Sequence, residues 1–206
     1  MKILITGATG FVGRHVIKKL LIHDHDVTCI IRDEKKLALF DWHEKVRIIN
    51  HDIHKGSFNI NSKDMPEALI HLAWSGLPNY QSMHHLEKNL PGDQIFLDLM
   101  IKNGINQILV SGTCLELGKK HGPLTPSMPS SPENPYAKAK DHLRKWIEPL
   151  QKEYEFIFDW VRLFYMYGPG QNPKSIIAQL DRAINEGKSI FNMSGGEQLR
   201  DYLPVE

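Results

Sequence analysis

Tyr136 and Lys140 stand four residues apart in a stretch, Pro135–Tyr154, whose pattern predicts a helix. At that spacing two side chains share one helix face, so an ammonium can sit beside a phenol. A phenol with a pKa of about 10 exchanges protons poorly at neutral pH, and a neighbouring cation draws it toward the working range. Such a pair suits general acid–base chemistry at a carbonyl or carbinol carbon. Y-x-x-x-K alone is a common coincidence in a chain with 6 Tyr. Its position gives it weight, because it opens a helix directly after a Pro/Ser-rich loop, Thr125–Asn134.

A second constellation lies at the start of the chain. Thr6-Gly7-Ala8-Thr9-Gly10-Phe11-Val12-Gly13 follows the short apolar run Lys2–Thr6 and opens a helical pattern from Phe11 to about His23. A tight turn at Gly7 and an uncluttered backbone at Gly10 would let a pyrophosphate reach the helix N-terminus, where N–H groups and the dipole favour anions. Gly13 would let that helix pack closely on the strand. Glycines in isolation mark ordinary turns, but strand, glycines and helix in this order indicate a dinucleotide site. The next apolar run, Val27–Ile31, ends in Arg32-Asp33. A carboxylate at this strand end holds the ribose of NAD, whereas an Arg accommodates the 2′-phosphate of NADP. Arg32 therefore favours NADP over NAD, with Asp33 as a neighbour that could serve the ribose and a solvated Arg32 as the bland alternative.

These residues need elements to position them. Strand patterns at Lys2–Thr6, Val27–Ile31, Val46–Asn50, Ala68–Ala73, Gln107–Ser111 and Phe156–Leu163 alternate with helical ones. The helices are expected near Phe11–His23, Ser82–Asn103 (with a kink or break at Pro91), Pro135–Tyr154 and Lys174–Glu186. Near-continuous apolar strands alternating with helices predict a doubly wound α/β Rossmann fold, a parallel sheet covered on both faces. Its ligand crevice lies beyond the carboxyl ends of the strands.

Composition narrows the classes. A chain of 206 residues, 41% hydrophobic and 24% charged, reads as a globular protein with one large core. A net charge of +1 offers no basis for nucleic-acid binding. Cys29 and Cys114 sit in apolar runs and read as buried thiols in a reducing compartment. The histidine spacings match no metal template with partner ligands, so no metal is expected. No apolar run approaches the ~18 residues of a membrane span, and the N-terminus has no leader pattern, so a cytoplasmic protein is expected.

The glycine spacing G-x-x-G-x-x-G inside TGATGFVG resembles the short-chain dehydrogenase/reductases, specifically their extended branch, the NAD-dependent epimerase/dehydratase family. The resemblance implies further site residues. Asp52-Ile53 matches the aspartate segment that contacts adenine, and His71-Leu72-Ala73-Trp74 the fourth-strand motif lining the cofactor. Thr113, running off the fifth strand, matches the catalytic Ser or Thr that orients the substrate oxygen. Ser111 is the alternative hydroxyl. Tyr136 then exchanges the proton, while Lys140 tunes it and binds the nicotinamide ribose. Arg162 through Gly170 resembles R-x-x-x-x-Y-G-P-G, and Arg200 through Glu206 resembles R-D-Y-x-x-V, both of that branch. Members continue well past this motif. The chain is thus expected to be a fragment, with residues 1–165 as the NAD(P)-binding domain and 166–206 as the start of a substrate lobe.

The neighbours of Thr113 narrow the reaction. The branch's 4,6-dehydratases carry Asp-Glu directly after this Thr, and Cys114-Leu115 supplies neither acid nor base. Family 3,5-epimerases place a cysteine two residues on. Cys114 is one residue on, and on an extended segment it faces the other way. What remains is hydride and proton exchange at C4. The stretch His71 to Tyr80 is most similar to the deoxytalose-type 4-dehydrogenases. The expected activity is reduction or oxidation at C4 of a nucleotide-activated 4-keto-6-deoxy sugar, with a 4-epimerase or a non-catalytic NADP(H)-binding homologue as alternatives. The resemblance also implies a homodimer through the helices at 82–103 and 135–154.

Overall fold

The computed structural model describes residues 1–55, 58, 65–120, 122–197 and 199–206. The β-branched run KILIT forms β1 (Lys2–Thr6), in which the last four residues are buried in succession, so the strand needs cover on both faces. It is joined by β2 (Asp26–Ile31), β3 (Arg47–Asn50), β4 (Ala68–His71), β5 (Gln107–Thr113) and β6 (Ile157–Leu163). The order across the sheet is β3-β2-β1-β4-β5-β6. β1 pairs in parallel with both β2 and β4, and the pairs β2–β3 and β4–β5 are parallel too. The chain runs outward from β1 to β3 and then returns to lay β4 on the other side of β1. The strand order reverses between β1 and β4, where a doubly wound sheet opens its ligand crevice.

Alternation along the strands divides the core. Ile5, Cys29 and Ile31 face one side and pack with Ile17 of α1 (Phe11–Ile22) and with Trp42. Leu4, Ile30, Leu69 and Ile108 face the other, against Phe96, Leu97 and Met100 of α2 (Leu90–Lys102) and Leu143 of α3 (Pro135–Ile147). Burial pushes the Cys29 thiol up to about 12, which makes it packing material rather than a nucleophile. Among the described residues no helix is long and apolar enough to cross a membrane.

Helix boundaries depart from expectation for backbone reasons. A π-turn at His85–Asn89 runs directly into α2, and Pro91 follows it as the second residue of that helix, so the helical run widens by one turn just before the proline. α3 ends at Ile147 rather than near Tyr154, and the chain tightens into a 3-10 turn, Glu148–Lys152, because Pro149 cannot donate to the preceding turn.

The chain divides into two compact units, Met1–Arg162 and Leu163–Glu206. In the second, β7 (Tyr165–Tyr167) pairs in parallel with β8 (Tyr202–Pro204), and α4 (Ile176–Asn185) is capped by Ser175. The Arg200 guanidinium lies 4.3 Å from the Tyr165 ring centroid. Strands of three residues carry no readable periodicity, and neither was anticipated.

Candidate active site

The glycine turn joins β1 to α1, and each glycine is required for a different reason. Gly7 has φ +75°, and a Cβ there would stand 2.7 Å from the Ala73 nitrogen and the Leu72 carbonyl carbon. The end of β4 thus packs directly on this turn. A Cβ at Gly13 would stand 2.2 Å from the Gly7 carbonyl oxygen, so α1 approaches the turn only because that side chain is absent. The Gly10 N–H donates to the same oxygen at 2.9 Å, and a Cβ on Gly10 would meet nothing else within 4 Å. No side chain caps α1, and its first turn holds no acid, which leaves a helix N-terminus suited to an anion. Thr6 Oγ1 accepts from the Ala73 N–H at 3.2 Å and hydrogen-bonds His71 Nδ1 at 2.9 Å, tying the carboxyl ends of β1 and β4 together.

The turn forms one wall of a cleft of about 210 Å³. Gly7, Thr9, Gly10, Arg32, Asp52, Ile53, Leu72, Ala73 and Trp74 all line it, whereas Phe11, Val12 and Gly13 stand behind it in the first turn of α1. Arg32 is exposed at its rim. Asp33 is already engaged, since its Oδ1 accepts from the Lys35 N–H at 3.0 Å and caps a 3-10 turn, Glu34–Leu39.

Two networks, each built around a buried carboxylate that the sequence analysis does not single out, Asp93 and Glu116, lie at this end of the sheet. Asp93 on α2 is fully buried, with Oδ1 2.6 Å from His54 Nε2 and Oδ2 3.3 Å from His71 Nε2. Gly92 makes the seat, because a Cβ there would stand 2.5 Å from the His54 ring. Burial alone would raise the Asp93 carboxyl, but charge on His71, hydrogen bonds from His54 and His71, and the charge of Lys140 hold it down at about 2. A depressed carboxylate contributes stability above its ordinary pKa of 3.8 and loses it as pH falls toward 2. This site is therefore expected to contribute on the order of 2 kcal/mol at neutral pH that disappears between about pH 4 and pH 2. Denaturant midpoints across that window should fall more steeply for the parent protein than for Asp93→Asn.

The second group surrounds Glu116. The chain leaves β5 at Thr113 and enters a 3-10 turn, Cys114–Leu117, closed by a capping box in which Thr113 Oγ1 accepts from the Leu115 N–H at 3.3 Å and Glu116 Oε1 from the Thr113 N–H at 2.8 Å. The segment is not extended, so the alternation that would turn Cys114 away does not apply. Glu116 is fully buried and also accepts from Trp160 Nε1 at 3.0 Å and Arg162 Nε at 2.9 Å. A Cβ on Gly112 would collide with Trp160 at 2.2 Å, so this network needs glycine beside Thr113.

Thr113, Tyr136 and Lys140 are all buried at this end of the sheet. Asn134 caps α3, and the Tyr136 N–H donates to the Tyr80 carbonyl at 3.2 Å, which fixes the first turn. Tyr136 is pushed up by burial and drawn back in part by a hydrogen bond with Thr113. The Lys140 ammonium lies over the Trp74 ring, 3.9 Å from the centroid. Burial lowers Lys140, while Asp93 and Glu116 raise it, leaving it at about 8. Ser111 is otherwise occupied, donating to the His71 carbonyl at 3.4 Å.

A parallel sheet of this order, a glycine turn at its switch point and a Thr-Tyr-Lys group beside it define a dinucleotide-dependent oxidoreductase architecture. The chain belongs to the NAD dependent epimerase/dehydratase family, whose sequence model matches residues 3–206. It is 32% identical over 209 residues to a dTDP-6-deoxy-L-talose 4-dehydrogenase (NAD(+)) of Aggregatibacter actinomycetemcomitans, covering 100% of this chain and 76% of the relative. It is 27% identical to a putative UDP-glucose 4-epimerase of Methanocaldococcus jannaschii, covering 98% of this chain and 69% of that protein. Among solved structures, a UDP-N-acetylglucosamine 4-epimerase from Methanobrevibacter ruminantium superposes with a TM-score of 0.83 at 24% identity, over 99% of this chain and 69% of that one. The MoeE5 complex with UDP-glucose and NAD gives 0.79 at 25% identity, over 100% of this chain and 68% of that one.

Proposed function

We propose that this protein is an NAD(P)-dependent oxidoreductase acting at C4 of a nucleotide-activated 4-keto-6-deoxy sugar. The observation that carries the reading is the buried group of Thr113, Tyr136 and Lys140, the last two one helical turn apart, beside the glycine-lined cleft. The residues fit a dinucleotide. Gly10 leaves backbone open where a pyrophosphate would approach α1, Gly7, Arg32 and Asp52 line the same cleft, and among the described residues the buried Lys140 ammonium has no hydrogen-bond partner. When bound, the nicotinamide supplies or accepts the hydride. Thr113 orients the C4 oxygen, Tyr136 gives it a proton, and Lys140 holds positive charge beside the pair and would donate to the ribose of a bound dinucleotide. Residues 1–165 serve as the NAD(P)-binding domain and 166–206 as part of the substrate lobe. The same reading includes a cytoplasmic homodimer.

The relatives support C4 chemistry, since one is a 4-dehydrogenase and the other a putative 4-epimerase. A 4-epimerase is the second reading, and it needs no residue beyond this same set. Titration with NADPH and NADH, followed by dTDP-4-keto-6-deoxyglucose or its 5-epimer, separates the readings by absorbance of the reduced nicotinamide. Consumption supports the reductase. Tight binding without consumption favours the epimerase, and no binding refutes both.

NADPH is expected to bind more tightly than NADH, because Arg32 lines the rim while Asp33 is committed to a cap. Arg32→Asp should shift the NADPH/NADH affinity ratio toward NADH by at least about tenfold, the scale of one lost charge-assisted hydrogen bond. An unchanged ratio would remove Arg32 from cofactor selection.

A further inference from the structure

Lys140 is 1% exposed, and among the described residues its Nζ has no hydrogen-bond partner. An ammonium carries three donors, and leaving them unmade in the interior is unfavourable unless something else holds the charge. Around it stand aromatic faces. Nζ lies 3.9 Å from the Trp74 ring centroid and 5.9 Å from that of Trp160. Both indoles are pinned by their polar edges, Trp74 Nε1 donating to His85 Nδ1 at 3.1 Å and Trp160 Nε1 to Glu116 at 3.0 Å. With the edges held elsewhere, the π faces are what remains for the cation.

Two buried carboxylates act on Lys140 from a distance. Asp93 reaches it from α2 but is tied to His54 and His71, and Glu116 reaches it from the turn after β5 but is tied to Thr113, Trp160 and Arg162, with Arg144 4.0 Å away. Among the described residues neither forms an ion pair with Lys140. Tyr136 and His85 complete the surroundings, with the Tyr136 ring centroid 5.8 Å from that of Trp74 and 5.3 Å from that of His85. The carboxylates therefore set a favourable potential, and direct contact is left to the indole. At the shorter distance, and desolvated, Trp74 is the stronger of the two rings.

We propose that Trp74 is a positioning residue, lining the cleft and holding the Lys140 ammonium behind it charged and in place by a cation–π contact. Its relevance to catalysis rests on the reading of Lys140 as the partner of Tyr136. The contact itself is tested without turnover. A cation favoured by the ring loses that preference when the ring is removed, so the Lys140 ammonium should give up its proton at lower pH.

The experiment follows the Nζ resonance of Lys140 by NMR in 15N-lysine-labelled protein across pH, with Lys140→Arg assigning the signal. The parent is expected to titrate near pH 8. Trp74→Phe, which keeps an aromatic face, should stay close to the parent, and Trp74→Leu should titrate about one unit lower. Biosynthetic fluorotryptophan keeps the shape of the ring while weakening its negative face, so it reads the contact even where Trp74→Leu folds poorly. It should lower the midpoint in the parent and do so less in the Trp74→Phe background, where Trp160 remains. Equal midpoints in the parent, Trp74→Leu and fluorinated proteins would overturn the proposal. The titration needs neither cofactor nor sugar, so a failed cation–π contact and a failed reductase reading cannot be confused.

Discussion

Tyr136→Phe is expected to slow turnover of a 4-keto sugar about a thousandfold while NAD(P)H affinity changes no more than a few-fold. A positioned general acid contributes about 10²–10⁴ in rate, and the variant removes the phenolic oxygen alone. The ring stays in place, because its packing against Trp74, Tyr80 and His85, at centroid distances of 5.8, 5.5 and 5.3 Å, involves only carbon framework that Phe retains. Direction of reaction also bears on this residue. Burial raises Tyr136, so it is protonated at neutral pH, the state a reductase needs in a proton donor. Lys140, lowered by burial to about 8, loses its charge above that pH, and reduction should decline along a basic limb there. Steady-state kinetics on the parent and Tyr136→Phe, with cofactor affinity read by fluorescence, decide the matter. Turnover within tenfold of the parent would remove Tyr136 from the proton transfer.

The parts of this site readable in the sequence were those carried by contiguous residues. The glycine turn was legible because three glycines within eight residues must satisfy one strand, one turn and one helix. Tyr136 and Lys140 were legible because helical spacing alone puts them on one face. Their electrostatics were not, since proximity on a helix says nothing of what packs between. Trp74, following β4, brings a ring face to within 3.9 Å of the same ammonium, which the helical spacing does not reveal. His54, His71 and Asp93 come from three separate segments, and no periodic signal joins them. Glu116 was in principle readable. Thr113-Cys114-Leu115-Glu116 has the T-x-x-E form of a capping box, and Trp160 and Arg162, two apart on β6, share a face of their strand. What hid them was the assumption that the chain stays extended past Thr113. The end of α3 was placed too late for a simpler reason, since the apolar pattern continues past Pro149 while the α-helix stops at Ile147.

Glu116→Ala is expected to lower stability by about 3–5 kcal/mol, the range for breaking a buried ion pair by deleting one partner. The carboxylate is fully buried and satisfies the Thr113 N–H, the Trp160 indole N–H and Arg162 Nε together. Its loss strands Arg162, whose side chain is 15% exposed, as a charge without its acceptor. Glu116→Gln tests charge separately from shape. An amide can still accept from one side, but its own N–H groups then face the donors that the carboxylate received, so substantial loss is expected there too. Replacing Glu116 and Arg162 together by Leu and Met removes the uncompensated charge and should recover part of the loss, leaving the Thr113 and Trp160 donors as the remainder. Urea denaturation of the parent, Glu116→Leu, Arg162→Met and the double variant gives the coupling directly, and additive single effects would mean that the pair contributes nothing as a pair. Catalysis should not recover with stability. Glu116 is what fixes the backbone of Thr113 at the start of its turn, so the double variant is expected to fold and still orient the substrate oxygen poorly.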